Sequence, residues 1–199
     1  MRFERTDLAR YGRVRCAERI GRHPGKAQEL AGRYGAQAVS PAAARESDVL
    51  ILATAYGDAV EALRGVGPRP GQVVIDITNP LSADYMALTL GHTTSAAEEI
   101  ARAAPGVRLV KAFNTVFAQI LAEGPNFGAA GAVPVFVAAD DGEAKQTVAE
   151  LARSIGFEVI DAGGLKNARY LEPLAGLNIY LGYGAGLGTG IAPTWMRRA

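Results

Sequence analysis

Four runs in the middle of the chain are short, rich in β-branched residues and almost continuously apolar: DVLILAT (48–54), QVVIDIT (72–78), VRLVKAF (107–113) and VPVFVAA (133–139). Strands of this kind are buried on both faces, as in a parallel sheet. FEVIDAG (157–163) reads as a further strand. The segments between them have helical signals. HPGKAQELAGRYG places Pro24 near a first helical position and closes at Gly35. TSAAEEIARAAPG offers an N-cap at Thr94 or Ser95, acids in its early turns and a stop at Pro105–Gly106. DDGEAKQTVAELARSIG sets Val148, Leu151, Ala152 and Ile155 on one stripe and ends at Gly156. Strands alternating with helices predict βαβ units, hence an α/β fold with a doubly wound parallel sheet.

Composition narrows the class. A length of 199 residues fits one domain with a full core. A hydrophobic fraction of 49% with 21% charged residues is that of a soluble globular protein. The net charge of +1 implies no electrostatic pull toward nucleic acid or a membrane surface. Cys16 is the single cysteine, which excludes an intrachain disulfide and fits a cytoplasmic setting. The first 22 residues carry seven arginines and no apolar segment, unlike a secretory signal. From Pro173 to Met196 no residue is charged, but six glycines and Pro193 interrupt the stretch. It is expected to be buried in a core or subunit interface rather than to span a bilayer.

In doubly wound sheets, ligands sit beyond the carboxyl ends of the strands. Here those exits are ATAYG (53–57), TNPLS (78–82), AFNT (112–115) and AADD (138–141). Asn79–Pro80 turns the chain sharply and leaves an amide near the crevice. Phe113 and Asn114 place an apolar ring beside a second amide, which suits a flat heteroaromatic ligand. Each also has a structural reading, since Asn before Pro serves turns and Phe at a strand end packs.

Other chemistries lack their residues. His23 and His92 are the only histidines, and neither has metal-ligand spacing to a partner. No G-x-S-x-G elbow offers a nucleophile. Asp76 and Asp161 lie on strands and read as structural or ribose-directed. A site poor in acids and bases still suits hydride transfer, where the protein mainly orients two rings. The glycine run LGYGAGLGTG (181–190) is not a dinucleotide loop, because Leu187 and Thr189 stand where G-x-G-x-x-G would need glycines.

The stretches GRHPGKAQELA, SDVLILATAYGDAVEAL, GHTTSAAEEIA, VPVFVAADDGEAK and, above all, VIDITNPLS, VKAFNTVFA and NARYLEPLA resemble one family in order over about residues 21–192. It is the family of NADPH-dependent oxidoreductases acting on the deazaflavin coenzyme F-420, whose fold also serves as the reductase domain of membrane metalloreductases. The resemblance implies a Rossmann domain over 21–165 and a C-terminal helical extension over 166–199. It implies a soluble cytoplasmic homodimer that uses NADP as cofactor and coenzyme F-420 as substrate. Carried over by position, Arg22 would meet the adenosine 2′-phosphate with help from Lys26. A guanidinium there can grip a phosphate bidentately, although Gly21 stands where the family has a serine. Thr54, Ala55 and Tyr56 would line the nucleotide side. Asn79, Pro80, Ala112, Phe113 and Asn114 would line the ring-to-ring site. The small residues of 181–190 would permit close packing around the pocket and across the dimer.

The family opens with an apolar strand, a glycine loop and a helix, and MRFERTDLARYGRVRCAERI (1–20) reads as none of these. RVRCAERI is expected to form the second strand, on the alternation of Val14, Cys16 and Ile20. The absent unit would occupy roughly 20–25 residues. The start is therefore read as truncated or misframed, with the Rossmann sheet lacking its first strand. Two readings follow: an NADPH-linked deazaflavin oxidoreductase, and a non-catalytic dimeric remnant or regulator that has lost nucleotide binding. A metal-reducing oxidoreductase on the same fold is the weaker third.

Overall fold

A computed structural model describes residues 15–17, 24–196 and 198. In chain order the elements are β1 (Arg15–Ala17), α1 (Pro24–Tyr34), β2 (Gln37–Val39), α2 (Pro41–Ala44), β3 (Val49–Leu52), α3 (Tyr56–Val66), β4 (Val73–Asp76), α4 (Ala96–Ala103), β5 (Arg108–Lys111), α5 (Ala118–Glu123), β6 (Pro134–Val137), α6 (Gly142–Ser154), β7 (Glu158–Asp161) and α7 (Ala168–Ile179). Each run read as a strand contains one. β1 falls within RVRCAERI, as the alternation there predicts.

Three parallel sheets result among the described residues: β1 with β2, β3–β4–β5 in that order, and β6 with β7. Lys111 and Ala138 join β5 to β6 through an antiparallel bridge, exchanging main-chain hydrogen bonds of 2.9 and 3.0 Å. The join lies at the carboxyl end of β5, where the site is built. Among the described residues β1 pairs only with β2, and β3 only with β4.

Alternation along the strands sorts the core into two layers. Val73, Ile75, Val110, Val135 and Val137 face α6, which contributes Ala144, Val148 and Ala152. Leu52, Val74 and Leu109 face α3 and α4, meeting Ala59, Leu63, Ala97 and Ile100. Ile75, Val110 and Val148 are fully buried, each worth about 1.5–3 kcal/mol relative to exposure. The apolar stripe expected on DDGEAKQTVAELARSIG is the face that α6 buries.

Helix ends follow the expected chemistry. Ser95 caps α4: its hydroxyl accepts from the Glu98 amide at 3.2 Å and donates to the Glu98 carboxylate at 2.8 Å. Asp141 caps α6 by accepting from the Ala144 amide at 2.7 Å. Gly35 and Gly156 stand just beyond α1 and α6 with φ of 65° and 91°, the left-handed region open to glycine. Pro173–Met196 is no single helix. It divides into most of α7, a wide π turn over Tyr180–Gly184 and an irregular tail. No helix among the described residues is long and apolar enough to cross a membrane.

Candidate active site

Beneath the strand exits lies a buried charge cluster. The Lys111 ammonium at the end of β5 meets Asp76 of β4 at 2.9 Å and Glu172 of α7 at 3.0 Å, and all three side chains are buried. Lys111 also donates to the Thr78 carbonyl. Asp76 accepts from the Thr78 amide at 2.8 Å. Glu172 accepts from the first two amides of α4, those of Ala96 and Ala97, at 2.8 and 3.1 Å. A carboxylate at that position also meets the positive end of the helix dipole. One lysine thus fixes the exits of β4 and β5 and the seat of α7 on α4.

Directly above, Asn79 and Asn114 hold each other. The Asn79 amide donates to the Asn114 carbonyl at 2.9 Å, and the Asn114 amide donates to Asn79 Oδ1 at 3.0 Å. The second Asn114 proton goes to the Leu171 carbonyl of α7 at 2.9 Å. Asn114 Oδ1 is buried and has no partner among the described residues. Between these amides and α7 opens a pocket of about 520 Å³, lined by Asn79, Phe113, Asn114, Phe117, Asn178 and Tyr183 among others. Asn178 ties α7 to the β5 exit through the Thr115 carbonyl at 3.1 Å.

Phe113 has φ +60°, a conformation that costs a bulky residue of order 1–3 kcal/mol. An edge-to-face contact with Phe157, at 5.9 Å between ring centroids, holds it there. The ring therefore lines the pocket while anchored in the core. Across the pocket, Phe117 meets Tyr183 edge-on at 5.7 Å. Gly182 makes this fit possible, since a Cβ there would lie 2.7 Å from the Phe117 ring. The glycine run 181–190 thus permits close packing around the pocket, as its small residues predict.

A strap from Leu81 to Leu88, closed by an antiparallel bridge between those two residues, covers one side. It presents Tyr85 and Met86 to the pocket. The Ser82 hydroxyl and the Met86 amide both donate to Asp84, holding its carboxyl below the usual range. Pro80 anchors the strap: its carbonyl accepts from the Thr89 amide at 2.7 Å and the Thr89 hydroxyl at 3.1 Å.

The expected site residues thus separate into groups. Asn79, Phe113 and Asn114 come together on the pocket. Pro80 and Ala112, also expected to line the ring-to-ring site, are instead fully buried and are not among the pocket's lining residues. Thr54 and Ala55 line a second cleft, of about 740 Å³, beside β3. Tyr56 turns toward α4, where its hydroxyl donates to Glu99 at 2.7 Å. Burial, the Glu99 hydrogen bond and the Glu99 charge push its pKa up to about 12. Arg22 lies outside the described residues, as does the side chain of Lys26, whose backbone belongs to α1. The sequence reading missed Lys111, Glu172, Asn178 and the strap. A lysine inside an otherwise apolar strand was the available signal, because a buried ammonium needs carboxylates around it.

The chain is similar to known proteins in sequence and fold. The family model described as NADP oxidoreductase, coenzyme F420-dependent, matches residues 8–80. That match begins upstream of Gly21, so part of the 1–20 segment set apart above falls inside the family pattern. An F420-dependent NADP reductase of Methanothermobacter thermautotrophicus is 33% identical over 185 residues, covering 84% of this chain and 75% of that protein. The metalloreductase STEAP3 of Rattus norvegicus is 38% identical over 104 residues, and the chain spans only 20% of its length. A crystal structure from Arthrobacter sp. FB24, described as that of an F420-dependent NADP reductase, superimposes with a TM-score of 0.83 at 29% identity. The superposition covers 96% of this chain and 92% of that one. The fold is that of Rossmann-like NADP oxidoreductases, and the chain belongs to the coenzyme F420-dependent NADP oxidoreductase family.

Proposed function

We propose that the chain transfers a hydride between NADP(H) and a deazaflavin of the coenzyme F-420 type, with the two rings meeting in the pocket over Asn79 and Asn114. The observation that carries this reading is the mutual clamp of those amides at successive strand exits, beside an apolar pocket walled by Phe113 and Phe117. The residues suit the ring end of the dinucleotide. Fixed amides orient a carboxamide-bearing ring, and aromatic walls exclude water from it. NADPH, when bound, supplies the hydride, and the deazaflavin ring accepts it. Reduction of the deazaflavin would also take up one proton; solvent would supply it, since Asp84 is the one carboxylate in the pocket lining.

For the opposite end, Arg22 and Lys26 are assigned to the adenosine 2′-phosphate. Arg22→Ala should then weaken NADPH binding about ten- to hundredfold and leave NADH unchanged. Equal losses for both nucleotides would refute that assignment. The 199 residues contain no G-x-G-x-x-G; with these residues alone the pyrophosphate would lack its usual main-chain cradle, and they are expected to turn over slowly. The decisive assay follows NADPH oxidation with coenzyme F-420 as acceptor. Saturable, acceptor-dependent consumption supports the reading. Consumption indifferent to the deazaflavin, or no binding of either molecule, overturns it.

A further inference from the structure

The pocket over Asn79 and Asn114 has a surplus of negative charge on its walls. Its lining holds no lysine, arginine or histidine among the described residues, and Asp84 is its one charged side chain. Hydrogen bonds from the Ser82 hydroxyl and the Met86 amide hold the Asp84 carboxyl below the usual range, so it is anionic at neutral pH. Phe113, Phe117 and Tyr183 line the same space, and the faces of such rings attract cations. Asn114 Oδ1, buried and without a donor among the described residues, adds the negative end of an amide dipole.

Beneath the floor the balance has the same sign. The Lys111 ammonium faces two buried carboxylates, those of Asp76 and Glu172. The amino end of α4, which Glu172 also meets, offsets about half of the surplus charge. The neighbouring Glu98 is matched by Arg169 and adds no net charge. What remains is close to the pocket. Glu172 stands one helical turn from Ala175, a lining residue on α7, and side chains so spaced are about 5–6 Å apart. Lys111 donates to the carbonyl of the peptide that joins Thr78 to Asn79, which sets the cluster directly below the clamped amides. Charges buried in this way act through a low dielectric and are little screened by salt.

We propose that this pocket selects a flat aromatic cation over its neutral, reduced counterpart, and therefore holds NADP+ more tightly than NADPH. The inference rests on the reading that the nicotinamide end of the dinucleotide enters here. The two forms share their phosphates and adenosine and differ in that ring, which is positive when oxidised and neutral when reduced. Negative charge below the floor and at Asp84, with ring faces on the walls, lowers the energy of the cation and does little for the neutral ring. The chain's net charge of +1 favours the more anionic NADPH only slightly. The preference sets a direction: a tighter hold on the oxidised form makes bound NADPH a stronger hydride donor than free NADPH.

Calorimetric titration of the full chain with NADP+ and, separately, with NADPH gives two affinities. Their ratio is free of any loss that both forms share. NADP+ should bind about threefold tighter or more. That ratio should persist in about 0.5 M salt, where exposed charges are screened and buried ones are not. Asp84→Asn keeps the oxygen that accepts from Ser82 and Met86 and removes the charge. It should lower the ratio about twofold in dilute buffer and leave it unchanged at high salt. Met86→Lys sets an ammonium on the strap wall of the pocket and should lower the ratio about threefold or more. Equal affinities in the unmodified chain, tighter NADPH, a preference that vanishes at high salt, or one that Asp84→Asn leaves untouched in dilute buffer overturns the inference. If Met86→Lys still weakens NADP+ selectively in that case, the ring does enter the pocket and the proposed function stands. If Met86→Lys changes neither affinity, or neither nucleotide binds, the ring does not enter here and both fall.

Discussion

Asn79 and Asn114 close a two-way clamp across the ends of β4 and β5, each amide donating to the other residue at 2.9–3.0 Å. The clamp commits both protons of Asn114, the second to Leu171 of α7. The pocket and the C-terminal extension are thus fixed by the same side chain. Asn114→Ala leaves Asn79 Oδ1 and the Leu171 carbonyl without their donors. The expected cost is about 1–3 kcal/mol of stability, together with weaker NADPH binding. Urea denaturation and nucleotide titration check the two effects separately. Full stability with unchanged affinity would remove the clamp from the site.

Much of this arrangement was legible along the chain. The strand exits at Asn79 and at Phe113–Asn114 stand out because the preceding runs are continuously apolar and then stop at turn-forming or polar residues. What pattern cannot supply is pairing across distance. Periodicity marks Lys111 as part of a strand and Glu172 as part of a helix, but not that they meet at 3.0 Å. The strap over 81–88 was illegible for a different reason. Its shape depends on hydrogen bonds among Ser82, Asp84 and Ala87 and on the φ of +63° at Tyr85, not on any repeat of apolar positions. α5 is a six-residue helix, too short for a helical stripe to emerge.

Lys111 is expected to be the most costly residue to neutralise in the site. Lys111→Met leaves the carboxylates of Asp76 and Glu172 buried without their cation, and breaking a buried pair in this way costs about 3–5 kcal/mol. That is a large share of the stability of an ordinary domain, about 5–15 kcal/mol. Adding Asp76→Asn should recover part of the loss, because its amide oxygen can still accept from the Thr78 N–H and one uncompensated charge is removed. Denaturation midpoints of the single and double variants decide the point. A double variant less stable than the single one would contradict it.

Tyr56 gives a pH signature. Its phenol is held neutral up to about pH 12, against a usual value of 10.0, by burial and by Glu99. The folded state thus favours the protonated phenol, while the unfolded chain releases its proton near pH 10. The stabilisation is fully present below pH 10 and is lost as pH rises from there through 12. Tyr56→Phe should flatten this part of the stability–pH curve. Spectrophotometric titration of the phenols checks the assignment directly: one late-titrating tyrosine should disappear in the variant. A wild-type chain whose tyrosines all titrate near pH 10 would contradict it.

The C-terminal segment is expected to pair two copies of the chain. On α7 and the turn that follows, Tyr170, Leu177, Tyr180, Tyr183 and Leu187 are each more than half exposed. The spacing of seven between Tyr170 and Leu177, and of three to Tyr180, keeps the first three on one broad face of the helix. Large apolar side chains gathered on one face of a soluble protein mark an interface, whereas scattered ones would not. Tyr183 also lines the pocket, so a partner seated here would close its outer rim and exclude water from it. The unmodified chain should scatter light as a dimer. Leu177→Arg and Leu187→Arg each place a charge that the interface would have to desolvate, and should give monomers whose secondary structure, read by circular dichroism, is unchanged. A soluble monomer from the unmodified chain at micromolar concentration would show that this face serves something other than a second copy.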